Sequence, residues 1–246
     1  MKIITKETLP ISTRQSILYK GPSGSRKTPN AFSWPKPIIA AYFDVNRKNV
    51  DQMIRAGDDI QLMIPESWAE FDREFVTPVY HRKFEAQTII VDTIDFAAAM
   101  LMREIQGAKQ KMVMQDWGKL LTDLTNVCNK LVSSTGQHGD LPAYNVVFCS
   151  HEGDVTDDGG NLLKTTPKIP GSFKYDIESF FDTVLICEAQ LASKVVEGKI
   201  TRSKEFICHS IPTSKYQTAK GTNLPPLVDG MYDSLRKEWD YGILRK

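Results

Sequence analysis

The sequence SILYKGPSGSRKT at residues 16–28 contains the pattern from which the fold of this chain can be inferred. Its first five residues are mostly apolar and predict a buried strand, which runs into a glycine-rich turn at residues 21–24. Residues 21–28 fit the pattern GxxxxGK[ST] at every fixed position except the second glycine, where Arg26 stands. A loop of this pattern between a strand and a helix binds phosphate, so these residues predict a nucleotide site at the edge of a sheet.

Each residue type in this phosphate loop, residues 21–28, has a part in holding a nucleotide. Backbone N–H groups wrap the β-phosphate, and the following helix points its positive end at the anion. Lys27 neutralises the β- and γ-phosphate oxygens, and the Thr28 hydroxyl ligates Mg²⁺. The predicted ligands of ATP and Mg²⁺ are Gly21, Pro22, Ser23, Gly24, Ser25, Arg26, Lys27 and Thr28.

Arg26 stands where glycine normally lets the backbone approach the phosphates. Its side chain requires either a slightly opened loop or a guanidinium that itself contacts phosphate. Pro29 is compatible with the helix that follows, because it falls in the first turn. Nucleotide binding is compatible with both residues.

Apolar strands alternate with helical segments along the first 150 residues. This alternation predicts an α/β fold with a mostly parallel sheet covered by helices on both faces. The phosphate loop, Asp44, Asp92 and His151 all follow predicted strands, so they should meet at the carboxyl ends of those strands. The predicted strands lie at residues 16–20, 37–43, 88–91 and 144–149, and the predicted helices at residues 47–56, 94–105 and 115–131.

The pattern changes after His151. Residues 154–166, with Asp-Asp-Gly-Gly-Asn at their centre, predict a hairpin or a mobile loop. Residues 181–189 and 204–211 predict a long antiparallel hairpin near the C-terminus, and residues 230–246 predict a short helix.

Length and composition are those of an ordinary globular chain. The 246 residues include 31 Lys and Arg against 30 Asp and Glu, for a net charge of +1, and 41% are hydrophobic. These values exclude a disordered, collagen-like or disulfide-stapled chain, and they argue against a protein that coats nucleic acid by bulk charge. Because no linker-like stretch divides the sequence, we expect one domain, with its core at about residues 12–225 and a tail at 226–246.

The sequence predicts a cytoplasmic protein without contact to membranes. The first 14 residues lack a secretory apolar core, and the longest apolar run, residues 96–102, is too short to cross a bilayer.

The four cysteines are widely separated and contain no CxxC pair, which favours buried reduced thiols. Lys20, Arg26 and Lys27 belong to a basic cluster near the N-terminus that faces either solvent or phosphate.

Two acids are candidates for the chemistry of hydrolysis. Asp92 stands where the acid that orients Mg²⁺ belongs. Asp44 either activates the attacking water as a general base or only caps the following turn, and Glu66 or Glu70 could also reach the site from the next segment.

In these motifs, and in their order and spacing, the chain resembles the RecA-like core ATPases of bacteriophages, of the recombinase and single-strand annealing type. The resemblance covers most of the chain. It rests on LYKGPSGSRKT, PKPIIAAYFD, TIIVDTID, QDWGKLLTDL, YNVVFCSHEG, PKIPGSF, FFDTVLICE and SKYQTAKGTNLPP.

The resemblance implies an ATP-binding core that assembles as rings or filaments on single-stranded DNA in the cytoplasm of a host cell, alongside a single-strand-binding protein. It implies that His151 senses the γ-phosphate, although a structural histidine remains the alternative, and that residues 152–171 contact DNA through Lys164 and Lys168. Lys215 and Lys220 would reach a neighbouring subunit's nucleotide. Lys109 and Lys111 are further candidates for DNA contact, with a solvated loop as the alternative.

The sequence departs from this family in one further place. Relatives carry a catalytic glutamate two residues beyond the acid of the second strand, and this chain has Asn46. Together with Arg26, Asn46 argues against rapid hydrolysis. A helicase-like hexameric motor and a non-hydrolysing scaffold or mediator with a decayed phosphate loop are the alternative functions.

Overall fold

The computed structural model describes residues 14–44, 46–136, 141–196, 199–212, 219–221 and 224–244. In this part of the chain, nine strands form one sheet in the order β3-β2-β4-β5-β1-β7-β8-β9, with β6 paired to β5. The first six strands of that order are parallel, and the β5–β6, β7–β8 and β8–β9 pairs are antiparallel. The predicted α/β fold with a mostly parallel sheet and an antiparallel hairpin near the C-terminus is confirmed.

Helices alternate with the strands from β1 to β5, after which β5–β6 and β7–β8–β9 follow one another without an intervening α-helix. Short 3-10 turns lie between several of these elements, at Ser133–Thr135, Phe173–Tyr175 and Ile177–Phe180. The strands are β1 (Ser16–Gly21), β2 (Ile38–Tyr42), β3 (Ile60–Met63), β4 (Thr88–Asp92), β5 (Asn145–Thr156), β6 (Leu162–Pro167), β7 (Thr183–Val196), β8 (Lys199–His209) and β9 (Leu227–Val228). The helices are α1 (Lys27–Phe32), α2 (Lys48–Arg55), α3 (Trp68–Glu70), α4 (Thr77–Tyr80), α5 (Ile94–Gln106), α6 (Met114–Val132) and α7 (Tyr232–Leu244).

Alternate residues of the central strands face opposite sides of the sheet. On β2, Ile39 and Ala41 belong to one apolar core, whereas Ile38, Ala40 and Tyr42 belong to the other. Helices α5 and α6 cover the first core, and α1, α2 and α7 cover the second. The strands are apolar on both sides because both faces are buried, as the continuous apolar runs in the sequence predict.

The sequence predicted α2, α5, α6 and α7 but missed the elements between α2 and β4. Strand β3 is only four residues long and partly exposed, so it has no continuous apolar pattern. Residues 64–80 continue into α3, a π-helical turn at Phe71–Val76, and α4. Phe71 and Phe75 of this segment are fully buried in the first core at a spacing of four residues, so the sequence held a helical signal here that the prediction did not use.

Lys20 faces neither solvent nor phosphate. It is fully buried in β1 and forms an ion pair with Glu178. The prediction of a solvated or phosphate-facing basic cluster is therefore wrong at this residue, because an inward position of the strand overrides the polarity of the side chain. The four cysteines are buried and free, as predicted.

None of the helices formed by the described residues combines the length and apolarity needed to traverse a lipid bilayer.

Candidate functional site

A cavity of about 300 Å³ lies at the carboxyl ends of the central strands. It is lined by the phosphate loop, Asp44, Thr93, His151 and Phe206. The structure therefore brings together the four regions that the sequence predicted to meet, because parallel strands end at the same edge of the sheet.

The backbone of the phosphate loop needs a glycine at its start. A Cβ atom on Gly21 would lie 2.3 Å from the carbonyl oxygen of Cys187 on β7, so no other residue fits there without a shift of the backbone. Gly24 has a φ of +76°, in the left-handed region that favours glycine. These two positions let the chain turn tightly from β1 into α1.

Arg26 adopts the left-handed backbone that a glycine would adopt easily. Its φ and ψ are 72° and 19°, a conformation that costs a residue with a Cβ about 1–2 kcal/mol. Its guanidinium lies 5.5 Å from the ring centroid of Phe206 on β8, within range of a cation–π interaction. The loop thus accommodates Arg26 through backbone strain and a contact with the neighbouring hairpin.

Lys27 spans the phosphate loop from inside. Its side chain is buried, and Nζ donates hydrogen bonds to the carbonyl oxygens of Gly21 at 2.9 Å and Pro22 at 2.8 Å. An ammonium group has three donors, so one remains for a phosphate oxygen in the cavity.

Thr28 and Asp92 form the pair that would hold a metal. The Thr28 hydroxyl donates to Asp92 Oδ2 at 2.7 Å. Burial raises the pKa of Asp92 to about 6, although the Thr28 hydrogen bond and the charge of Lys27 oppose this increase. The other oxygen, Oδ1, is buried and accepts no hydrogen bond from the described residues. A hydroxyl beside a carboxylate with a free oxygen suits Mg²⁺, which takes oxygen ligands and commonly uses one or two carboxylates together with phosphate oxygens.

Over the described residues there is no group of three or more His, Cys, Asp or Glu side chains that could hold a metal ion. Cys149, next to Asp92 across the β4–β5 pair, remains a neutral thiol because burial and the Asp92 charge raise its pKa well above the usual range.

Asp44 caps a turn and also lines the cavity. Its Oδ1 accepts a hydrogen bond from the Asn46 backbone at 2.9 Å, and the Tyr42 hydroxyl donates to the Asn46 carbonyl at 2.9 Å. The capping role of Asp44 is thus present in the structure, while its place in the cavity keeps it a candidate base. Glu70 lines a different cavity, beside Met63, and accepts from the Glu66 N–H, so neither glutamate enters the phosphate cavity.

His151 is held by Asp95, a residue that the sequence analysis missed. Asp95 Oδ1 accepts from the His151 backbone N–H, and Oδ2 contacts Nδ1 of its ring, both at 3.0 Å. Burial would raise the pKa of Asp95, but the hydrogen bonds and charge of His151 outweigh it and lower that pKa. The clamp leaves Nε2 as the ring nitrogen available to the cavity. The sequence contained a signal for this role, because Asp95 is an acid in the first turn of α5, the helix that follows Asp92.

The predicted DNA-contacting residues after His151 lie on or beside a β-hairpin. Strands β5 and β6 pair from Glu152 to Thr156, so residues 154–166 form the hairpin rather than a mobile loop. Lys164 Nζ lies 4.4 Å from the ring centroid of Tyr175, which is 49% exposed. Lys168 is exposed, and its backbone N–H donates to the His151 carbonyl at 2.7 Å.

The remaining predicted cations lie outside the cavity. Lys109 is paired with Asp116 at 2.7 Å, and Lys111 is exposed between α5 and α6. Lys220 is exposed and donates from Nζ to the Phe181 carbonyl at 2.6 Å, and it does not line the cavity of its own chain. Lys215 lies outside the described residues.

Two residues of β8 reach the phosphate loop without any signal in the sequence. Lys204 Nζ donates to the Gly24 carbonyl at 3.2 Å, and Phe206 lines the cavity. They are about 180 residues away along the chain, and only the folding of the β7–β8 hairpin next to β1 brings them there.

Comparison with known proteins agrees with this geometry. A family model described as "AAA domain" matches residues 13–217, which include every residue that lines the cavity. No curated protein matches the chain. The match covers most of the sequence, and the chain belongs to the AAA domain family of P-loop nucleoside triphosphatases.

Proposed function

We propose that this protein is an ATP- and Mg²⁺-binding core that acts on single-stranded DNA in recombination, by annealing or strand exchange, and that it works as a ring or filament of identical subunits. Membership of the AAA domain family supports nucleotide binding. The action on DNA, the assembly, the phage origin and contact with a single-strand-binding protein are the proposed part.

One observation carries the proposal: a single strand joins the cavity to the hairpin that carries Lys164. Strand β5 runs without interruption from His151, which lines the cavity, to Thr156 in the hairpin. The returning chain brings Lys168 back to within hydrogen-bond distance of the His151 carbonyl. A change at His151 on nucleotide binding would therefore be transmitted directly to the hairpin.

Lys164 on the hairpin, and Lys174 and Tyr175 in the 3-10 turn that follows it, are side chains of the types that bind single-stranded DNA. Lys164 and Lys174 both lie against the ring of Tyr175, at 4.4 and 5.1 Å from its centroid. Proteins that bind single strands without sequence preference combine cations for the phosphates with exposed aromatic rings for the bases. Lys168 adds a further cation at the base of the hairpin.

Turnover should be slow in this site. The glutamate position is Asn46, whose backbone N–H and C=O are both engaged in a turn, and Asp44 uses one oxygen in the same turn. A protein that needs nucleotide binding more than hydrolysis, such as a nucleotide-gated annealing clamp, fits this arrangement.

The test measures ATP binding, ATP hydrolysis and single-stranded DNA binding by the purified protein. We expect Mg-ATP to bind and to strengthen DNA binding, and Lys27→Ala to remove both effects because the phosphate charges lose their buried cation. The double substitution Lys164→Ala, Lys168→Ala should leave ATP binding unchanged and weaken DNA binding. It should also reduce the slope of log affinity against log salt by about 0.7 for each DNA phosphate that is no longer neutralised.

Matched substitutions on α2, Lys48→Ala and Arg55→Ala, remove the same charge from exposed positions outside the cavity and serve as controls. A protein that binds neither ATP nor single-stranded DNA at low salt would overturn the proposal. Rapid DNA-stimulated turnover with unwinding would replace it by the motor function. DNA binding that Lys27→Ala leaves intact would replace it by the scaffold function.

A further inference from the structure

Two cations that the phosphate-loop pattern does not contain lie beside the loop. Arg26 and Lys204 are 5.5 and 5.2 Å from the ring centroid of Phe206, so one aromatic ring holds both. Phe206 and Arg26 line the cavity, and Lys204 Nζ donates to the carbonyl of Gly24 inside the loop. Lys204 reaches this position from β8, which lies two strands from β1 in the sheet.

This arrangement concentrates positive charge around the cavity. Lys27 is the third cation there, and neither Arg26 nor Lys204 forms an ion pair with another described residue. Like charges held close together repel one another, and a polyanion between them removes that repulsion. Of the carboxylates near the cavity, Asp92 lies beside Thr28, where the metal would be held, and Asp44 lines the cavity.

We propose that Lys204 is a phosphate ligand of the nucleotide site within its own chain, assisted by Arg26. On binding, its ammonium group exchanges the Gly24 carbonyl for an oxygen of the polyphosphate. The proposal rests on the nucleotide binding proposed above and deepens it, because a third cation favours a nucleoside triphosphate over a diphosphate. It also makes the β7–β8 hairpin part of the nucleotide site.

The competing role for Lys204 is a brace that only steadies the loop through Gly24. The two roles differ in what they require of the side chain. A brace needs a hydrogen-bond donor of suitable length, which glutamine also provides, whereas a phosphate ligand needs the positive charge.

The experiment measures the dissociation constants of Mg-ATP and Mg-ADP for the full-length protein and for Lys204→Arg, Lys204→Gln and Lys204→Met. We expect Lys204→Arg to stay within threefold of the wild type. Lys204→Gln and Lys204→Met should both weaken ATP binding by roughly tenfold or more, as the loss of a charge-assisted hydrogen bond predicts, and should weaken ADP binding less.

Arg202→Met is the matched control. Arg202 is exposed and stands two residues along β8, on the same face of the strand but farther from the loop, so its loss should change ATP affinity less than threefold. Thermal unfolding of each variant checks that the substitutions at the exposed positions 202 and 204 leave the fold intact.

The outcomes separate this proposal from the function on which it rests. If the wild type binds ATP, Lys27→Ala does not, and Lys204→Gln binds as the wild type does, Lys204 is at most a brace and this proposal alone is wrong. A uniform loss in Arg202→Met and Lys204→Met would also overturn it, because general charge would explain both. A wild type that binds no ATP would overturn both proposals.

Discussion

Asp92 carries its carboxylate at a fully buried position, where an unpaired charge is costly. Its pKa is about 6 instead of 3.8, because burial disfavours the ionised form more than Thr28 and Lys27 favour it. A carboxylate whose ionised form is unfavourable without a nearby cation would suit the proposed site, to which the nucleotide would bring Mg²⁺. At neutral pH, the difference between these two pKa values lowers the free energy of unfolding by on the order of 3 kcal/mol.

We predict that Asp92→Asn changes the pH dependence of stability in the nucleotide-free protein. Below pH 3.8 both the folded and unfolded states of the wild type hold the proton. Between pH 3.8 and about 6 the unfolded state releases it first, so the wild type loses stability as the pH rises through this window. The asparagine variant lacks this loss. Its free energy of unfolding relative to the wild type should therefore increase from pH 4.5 to pH 7, by up to about 2 kcal/mol.

Urea unfolding in the presence of a metal chelator measures this difference at each pH. Asp44→Asn is the control, since Asp44 also lines the cavity region but is only partly buried. A difference between Asp92→Asn and the wild type that stays constant from pH 4.5 to pH 7 would contradict the buried-charge argument. Asp92→Asn should also lose Mg²⁺-dependent ATP binding.

Among the elements, Asp95 ties helix α5 to strand β5. Its carboxylate holds both the backbone and the ring of His151, just before β5 enters the hairpin. Phe96, the next residue of α5, packs against the same ring with centroids 5.5 Å apart. The first turn of α5 follows directly from Asp92, so one short segment contacts both the proposed Mg²⁺ ligand and the start of the β5–β6 hairpin.

We predict that Asp95→Ala uncouples the nucleotide from the DNA. Without its clamp the His151 ring can rotate away from the cavity, and the hairpin loses its connection to the bound phosphate. The factor by which Mg-ATP strengthens single-stranded DNA binding should fall at least threefold, since coupling free energies between sites are typically about 1–3 kcal/mol. ATP affinity without DNA should change less than threefold.

DNA titrations with and without Mg-ATP provide the measurement. Asp123→Ala on α6 removes an acid that does not line the cavity and serves as the control. A full ATP effect in Asp95→Ala would show that the hairpin does not receive its signal through His151.

In the molecule as a whole, the C-terminal helix closes one of the two cores. Leu235 of α7 is fully buried, and Tyr232 and Trp239 pack against Trp34 with ring centroids 4.9 and 6.0 Å away. The Tyr19 hydroxyl on β1 donates to the Gly230 carbonyl at 2.7 Å. Helix α7 therefore covers the same face of the sheet as α1.

We predict that Leu235→Ala lowers the free energy of unfolding by about 3 kcal/mol, because it removes a buried side chain and leaves a cavity. Leu227→Ala is the matched control, since Leu227 lies in the same C-terminal region and is 54% exposed. Its cost should be below about 1 kcal/mol, in keeping with the smaller apolar area that Leu227 buries. Equal destabilisation by the two substitutions, measured by urea unfolding, would show that α7 does not close the core.

Several elements could be predicted because their signals are local. The α6 pattern places Leu124, Val127 and Leu131 on one face at helical spacing, and all three are buried. Strand β3 escaped prediction because it is short and partly exposed. The segment at residues 64–80 was missed although Phe71, Phe75 and Val79 recur every four residues and are all buried. The extent of β5 was underestimated, because beyond Ser150 its side chains leave the core and the apolar run ends, while pairing with β6 keeps the backbone extended.

The parallel α/β core and the meeting of residues 21–28, Asp92 and His151 could be inferred from the sequence alone, because apolar strand runs and a phosphate-loop pattern are encoded by neighbours along the chain. The clamp of Asp95 on His151 and the reach of Lys204 to Gly24 are visible only in the folded chain. Those contacts join residues 56 and 180 positions apart. They depend on strand order and on the packing of the β7–β8 hairpin beside β1, which no local pattern specifies.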